Sequence, residues 1–230
     1  MTLKVKILKK NMNKESDKNF EGGQGGSILE KIDKQRKELG FLTISELLDL
    51  NGNKNVILDP MSTLISKEVN IGSGNIFYPN TIVEKQGNGI IEIGNKNIFY
   101  PQTFIVASLG RIKIGDGNQF GDGGLSIKAN YPNTDISIGD NCRLLNGVQI
   151  LGITHLGSGS QIIGGQLTVQ DCFLGDGKDF TFPDADERGG VVKGFGLIRN
   201  IRIEKGKVIN GQGSFDQSMI QDQSFYHPKK

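Results

Sequence analysis

Two imidazoles, His155 and His227, are the only histidines in 230 residues. Imidazole changes charge nearest to neutral pH and is the side chain most often used as a general base. His227 stands next to the C-terminus and is assigned no role. His155 immediately precedes Leu156, an aliphatic that belongs to a regular inward series, so its side chain is expected to face outward from a strand. Ser137 and Phe173 hold the equivalent places before Ile138 and Leu174. The chain carries inserts before Ile93, Ile114 and Ile138, all late in their repeat, so they should project from one corner. The largest, within residues 130–135, lies one repeat below His155 and offers Asn130 and Tyr131 as substrate-binding candidates. Cys142 and Cys172 fall at different phases of the repeat, which predicts two small buried thiols and no disulfide. Neither has the spacing of a metal site, and no metal is expected.

The element that must position these residues is a repeat. An aliphatic residue followed by glycine recurs six times, at Ile71, Ile93, Ile114, Ile138, Leu156 and Leu174, with gaps of 22, 21, 24, 18 and 18 residues. The shortest gaps equal three hexapeptides. Within a repeat, apolar residues return every six positions, as in Ile71, Phe77, Val83 or Leu156, Ile162, Thr168. Six residues make one short strand plus a corner, and three such sides make a triangular coil. No coil can bury its apolar face alone, so stacking is obligatory. Coils stacked at the inter-strand spacing of ~4.8 Å give a solenoid of about six to seven coils over residues 58–178. The 33 glycines, about twice the usual ~7%, together with Asn75, Asn97, Asn118 and Asn141, are expected to supply left-handed torsions at the corners.

The ends read differently. Residues 1–26 form a basic, glycine-rich lead-in expected to be flexible. Residues 27–57 carry two capping boxes, Ser27 with Glu30 and Thr43 with Glu46, and predict short helices that cap the solenoid's open end. After residue 178 the repeat dissolves. An acidic loop containing Asp184, Asp186 and Glu187 reads as solvated, and a basic segment follows as a terminal coil or a hairpin, then a polar tail to residue 230. Lys and Arg number 27 against 25 Asp and Glu, a formal charge of +2, which gives no argument for a nucleic-acid groove or a membrane surface. No apolar run approaches the roughly 20 residues of a spanning helix, and no signal-peptide core is present. The expected location is the cytoplasm.

The stacked pattern resembles the hexapeptide-repeat transferases, whose fold is a left-handed parallel β-helix. The opening coil, Leu58-Asp59-Pro60 followed by Val69-Asn70-Ile71-Gly72, is similar to the start of the acetyltransferase half of bacterial bifunctional N-acetylglucosamine-1-phosphate uridyltransferases. The uridylyl activity is not carried over, because the residues before the repeat are too few for a nucleotide-sugar domain. The stretch Ile138-Gly139-Asp140-Asn141, running on to His155, resembles a coil of sugar O-acetyltransferases in which the histidine is the general base. The resemblance implies an acyl-CoA-dependent O- or N-acyltransferase acting on a sugar, nucleotide sugar or similar small molecule, working as a homotrimer with its groove between protomers. It implies His155 as base, Asp135 orienting the imidazole, Gly157 N–H stabilising the oxyanion, and Lys193, Arg199 and Arg202 meeting the phosphates of a coenzyme A thioester. The γ-class carbonic anhydrases share the fold but need three metal-binding histidines, and two do not suffice. The alternative is a non-catalytic β-helix, either a scaffold or a sugar- or nucleotide-binding protein.

Overall fold

The computed structural model describes residues 26–228; residues 1–25 of the expected flexible lead-in (1–26) and the last two residues of the tail lie outside them. The chain divides into two compact units, Met1–Lys31 and Ile32–Lys230. In the first, Ser27 and Glu30 form the anticipated capping box at the start of helix α1 (Ile28–Glu38), with Glu30 Oε2 accepting from Ser27 N at 2.7 Å.

The second unit is a three-sided parallel β-solenoid. Two of its faces are joined in one sheet, and the third is a separate sheet of seven strands running from Asn70–Ile71 to Arg202–Ile203. Neighbouring strands on each face are parallel and in register, so equivalent residues of successive coils stack: Ile136 on Ile112, Ile138 on Ile114, Leu156 on Ile138. Five complete turns lie within residues 58–178, fewer than the expected six to seven, because further windings straddle those bounds. One opens with Val56–Ile57. Another follows residue 178, where Val191–Arg199 pairs in parallel with strands of both joined faces and Arg202–Ile203 adds to the third. The segment left open as coil or hairpin is therefore coil. The chain then ends on a strand, Ile220–Asp222, that returns antiparallel to Lys207–Gly213.

The core is one column of inward side chains. Phe77, Phe99 and Phe120 stack with centroids 4.8 and 5.2 Å apart, and Leu144 and Ile162 continue their row, all fully buried. One expected member is corrected. Val169, not Thr168, points inward, because the corner at residues 164–166 holds one residue more than six-residue spacing allows.

The expectation of left-handed corners holds at Gly74, Gly117, Gly159 and Asn141, which have positive φ, but not at the glycines that follow the aliphatics or at the other asparagines. None of Gly72, Gly94, Gly115, Gly139, Gly157 and Gly175 has positive φ. They are glycines because the coils approach too closely for a side chain: a Cβ on Gly157 would lie 2.5 Å from Asp176 N, and one on Gly115 would lie 2.8 Å from Gly139 O. Left-handed torsion falls two residues later, as at Lys96 and Asn141. Asn75, Asn97 and Asn118 instead form a buried ladder starting at Asn55, in which each side-chain carbonyl accepts from the backbone and amide N–H groups of the next asparagine at 2.9–3.1 Å. Cys142 is the next rung, and its N–H donates to Asn118 Oδ1 at 2.7 Å.

The N-terminal side of this unit closes the first coil. Leu42 N–H donates to Ile65 O at 2.8 Å, pairing the outermost strand of the second face, and Arg36 donates to Pro60 O and Met61 O. Helix α2 (Ile44–Asp49), with Thr43 and Glu46 in a full capping box, buries Leu47 in the core. An apolar end and an open strand edge are thereby covered. Among the described residues, no helix is long and apolar enough to cross a membrane.

Candidate active site

The third face builds the site through register. Because strands stack without offset, Ser137, His155, Phe173 and Arg202 form one outward column. Ser137 Oγ lies 2.7 Å from His155 Nδ1. Phe173 stacks on the imidazole at a centroid distance of 5.0 Å and an interplanar angle of 18°. The Arg202 guanidinium covers the other side of Phe173 at 3.7 Å, and its Nε donates to Glu204 Oε1 at 2.5 Å. Asp176 Oδ2 stands 4.0 Å from Nε2, and the histidine side chain is 42% exposed. The imidazole is thus fixed at one nitrogen, clamped on its face, and open at its edge.

This column forms one wall of a groove of about 460 Å³, which Asp135, Ile153, Asp171 and Asn200 also border. At the corner between the second and third faces, the anticipated inserts occupy residues 86–89, 108–110 and 130–134. The last of these, with Asn130 and Tyr131, lines an adjoining hollow of about 580 Å³, and Ile153 and Asp171 border both spaces. The sequence-predicted loop and histidine are therefore neighbours.

Four of the expected roles do not fit this geometry. Asp135 lies in the groove but its register partner is Arg111, one coil below, and the hydrogen bond to His155 comes from Ser137. Gly157 N–H donates to Leu174 O at 2.8 Å, which commits it to the strand ladder and leaves nothing for an oxyanion. Lys193 sits on the first face, with its Nζ 5.0 Å from the Tyr226 ring centroid. Arg199 sits on the second face, where it donates to Gln170 Oε1 at 2.6 Å. Only Arg202 shares the groove with His155, so the three cations do not converge on one set of phosphates within a chain. The cause is the winding itself: six residues carry the backbone from one face to the next.

Both cysteines are buried and free, as their phases predicted. Burial pushes the Cys142 thiol up to about 12, and burial raises Cys172 as well, which makes both poor nucleophiles. In the acidic loop, Glu187 pairs with Lys205 at 2.8 Å, Asp184 accepts from Asp186 N–H, and Asp186 accepts from Ser224 N–H. These carboxylates fasten the loop to its surroundings. The sequence places Ser137 beside His155 by its position before Ile138 but assigns it no role; the hydrogen bond to Nδ1 supplies one.

No protein-family model matches the chain, and no curated protein does. Among solved structures, the chain is similar to LpxA from Acinetobacter baumannii, at 17% identity over 69% of each chain with a TM-score of 0.29.

Proposed function

We propose that this protein is an acyltransferase that uses His155 as general base toward a hydroxyl or amine of a sugar, nucleotide sugar or similar small molecule. The observation that carries the reading is the held imidazole: Ser137 at Nδ1, Phe173 on the ring face, and an exposed edge on a groove. In the tautomer that donates from Nδ1 to Ser137 Oγ, Nε2 has a free lone pair for the acceptor's proton. The deprotonated acceptor attacks the acyl carbonyl, and the leaving group departs as the tetrahedral intermediate collapses. Asn130 and Tyr131 adjoin the groove where an acceptor would extend. The donor we propose is a thioester such as an acyl-coenzyme A. Within one chain Arg202 is the only one of the three expected cations bordering the groove, so a second protomer of the proposed trimer would supply the rest of the donor site. The opening coil's likeness to an acetyltransferase half supports the same class.

The second reading, a non-catalytic sugar- or nucleotide-binding β-helix, is favoured by one observation: the Gly157 N–H assigned to the oxyanion is already bonded. A thermal-shift series with acyl-coenzyme A thioesters and UDP-sugars separates the two. Ligands that bind the native state raise its melting temperature. Stabilisation by thioesters supports acyl transfer, whereas stabilisation by UDP-sugars alone refutes it in favour of the binding module. Sedimentation tests the trimer directly, and a 25.0 kDa monomer refutes the shared donor site.

A further inference from the structure

The first face carries a cavity remote from the His155 column. Residues 179–190 and the C-terminal segment fold back over this face, held together by Gln223 Nε2 donating to Gly189 O at 2.7 Å and by Ser224 N–H donating to Asp186 Oδ1 at 2.9 Å. Between them and the strands lies a space of about 330 Å³, at the small end of the roughly 300–1,000 Å³ typical of ligand pockets. Three cations border it, Arg143, Arg188 and Lys193, and among the described residues no carboxylate does. The Asp179 carboxylate accepts from the N–H and hydroxyl of Thr181.

One unmet buried polar group points to an occupant. Arg143 Nε is buried without a hydrogen bond, and the guanidinium lies over the Phe180 ring at 4.0 Å. Gln161, stacked on Arg143 in the same outward column, also borders the cavity. Buried polar groups are almost always satisfied, and exceptions call for a missing partner. A guanidinium without a carboxylate, next to a second and third cation, is complementary to an oxyanion that accepts several hydrogen bonds.

We propose that this cavity is a second binding site, for a small sugar phosphate. The phosphate would meet Arg143, Arg188 and Lys193, Gln161 would hydrogen-bond a phosphate or sugar oxygen, and Ile163 and Val208 would contact the sugar's carbon skeleton. A sugar fits better than a nucleobase. One face each of Phe180 and Tyr226 is already taken by Arg143 and Lys193, which reduces the aromatic surface open to a stacked base. The site is independent of the acyltransfer reading, because none of its lining residues belongs to the His155 groove.

Isothermal titration of the full chain with glucose 6-phosphate, inorganic phosphate and succinate at constant ionic strength tests this. Glucose 6-phosphate is expected to bind, inorganic phosphate to compete with it, and succinate to bind at least tenfold more weakly. Lys193→Gln and Arg143→Gln should each weaken glucose 6-phosphate at least tenfold, while His155→Gln should bind it like the wild type. Lys193, on the cavity's rim, supplies a variant that keeps the fold if loss of the Arg143–Phe180 contact unfolds the other. Absence of binding by both phosphates, equal binding of succinate, or unchanged affinity in Lys193→Gln would each overturn the proposal.

Discussion

Truncating Asn97 to alanine tests whether the buried asparagine ladder, and not only the aliphatic column, holds the coils together. Asn97 is fully buried. Its Oδ1 accepts from Asn118 N and Asn118 Nδ2, both at 2.9 Å, and its Nδ2 donates to Asn75 Oδ1 at 3.1 Å and Gly115 O at 2.9 Å. In Asn97→Ala the two Asn118 donors lose their acceptor with no water to replace it, whereas Asn75 Oδ1 keeps the Asn97 backbone N–H. At about 1–3 kcal/mol for each buried group left unsatisfied, the expected loss from the two donors is about 2–6 kcal/mol. For a domain of this size, each 1 kcal/mol moves Tm by about 2–4 °C, so Tm should fall by roughly 4–24 °C. Cys142→Asn is the converse test. Asparagine there would extend the ladder toward Asn118 Oδ1 and the Gly157 O that Cys142 Sγ now approaches at 3.2 Å. Its stability should match the wild type or exceed it by up to about 1 kcal/mol. Calorimetry and urea unfolding measure both. A loss below about 1 kcal/mol in Asn97→Ala would refute the reasoning.

Two more predictions concern stability. The Cys142 thiol is pushed up to about 12 by burial, against an ordinary 9.0 in the unfolded chain. A raised folded value means the unfolded state loses its proton first, so this contribution is intact below the ordinary value and shrinks as pH rises toward 12. Above the ordinary value the slope approaches about 1.4 kcal/mol per pH unit; stability measured between about pH 9.5 and 10.5 should fall more steeply by about that amount than in Cys142→Ala, and equal slopes would contradict it. Gly157→Ala should cost about 1–3 kcal/mol from overpacking, because its Cβ would meet backbone of the next coil at 2.5 Å. An unchanged melting temperature would show that the coils can part more easily than the geometry allows.

The winding was legible because one constraint repeats six times. Inward aliphatics, glycines at close approach and inserts at one corner all keep the same phase, so Ile71 to Leu174 announce the third face without any tertiary information. The outward placement of His155 followed from Leu156 alone. What failed depended on contacts between coils. Asp135 is nearer to the conventional picture of a histidine's partner, but strict register sets Ser137 against His155. Lys193, Arg199 and Arg202 are close in sequence and far apart around the triangle. The asparagine ladder was visible as a periodic residue type, yet its chemistry was read as torsional because asparagine serves both purposes. The first-face cavity escaped notice because its roof comes from two segments outside the repeat.

The most direct test of the central claim is acyl transfer by wild type and His155→Ala with labelled acetyl-coenzyme A and a panel of amino sugars and sugar hydroxyl acceptors. Loss of a general base lowers turnover by about 10²–10⁴-fold. The account predicts at least a 10²-fold fall in kcat with an unchanged melting profile, and a smaller fall in Ser137→Ala. Full turnover in His155→Ala would contradict it.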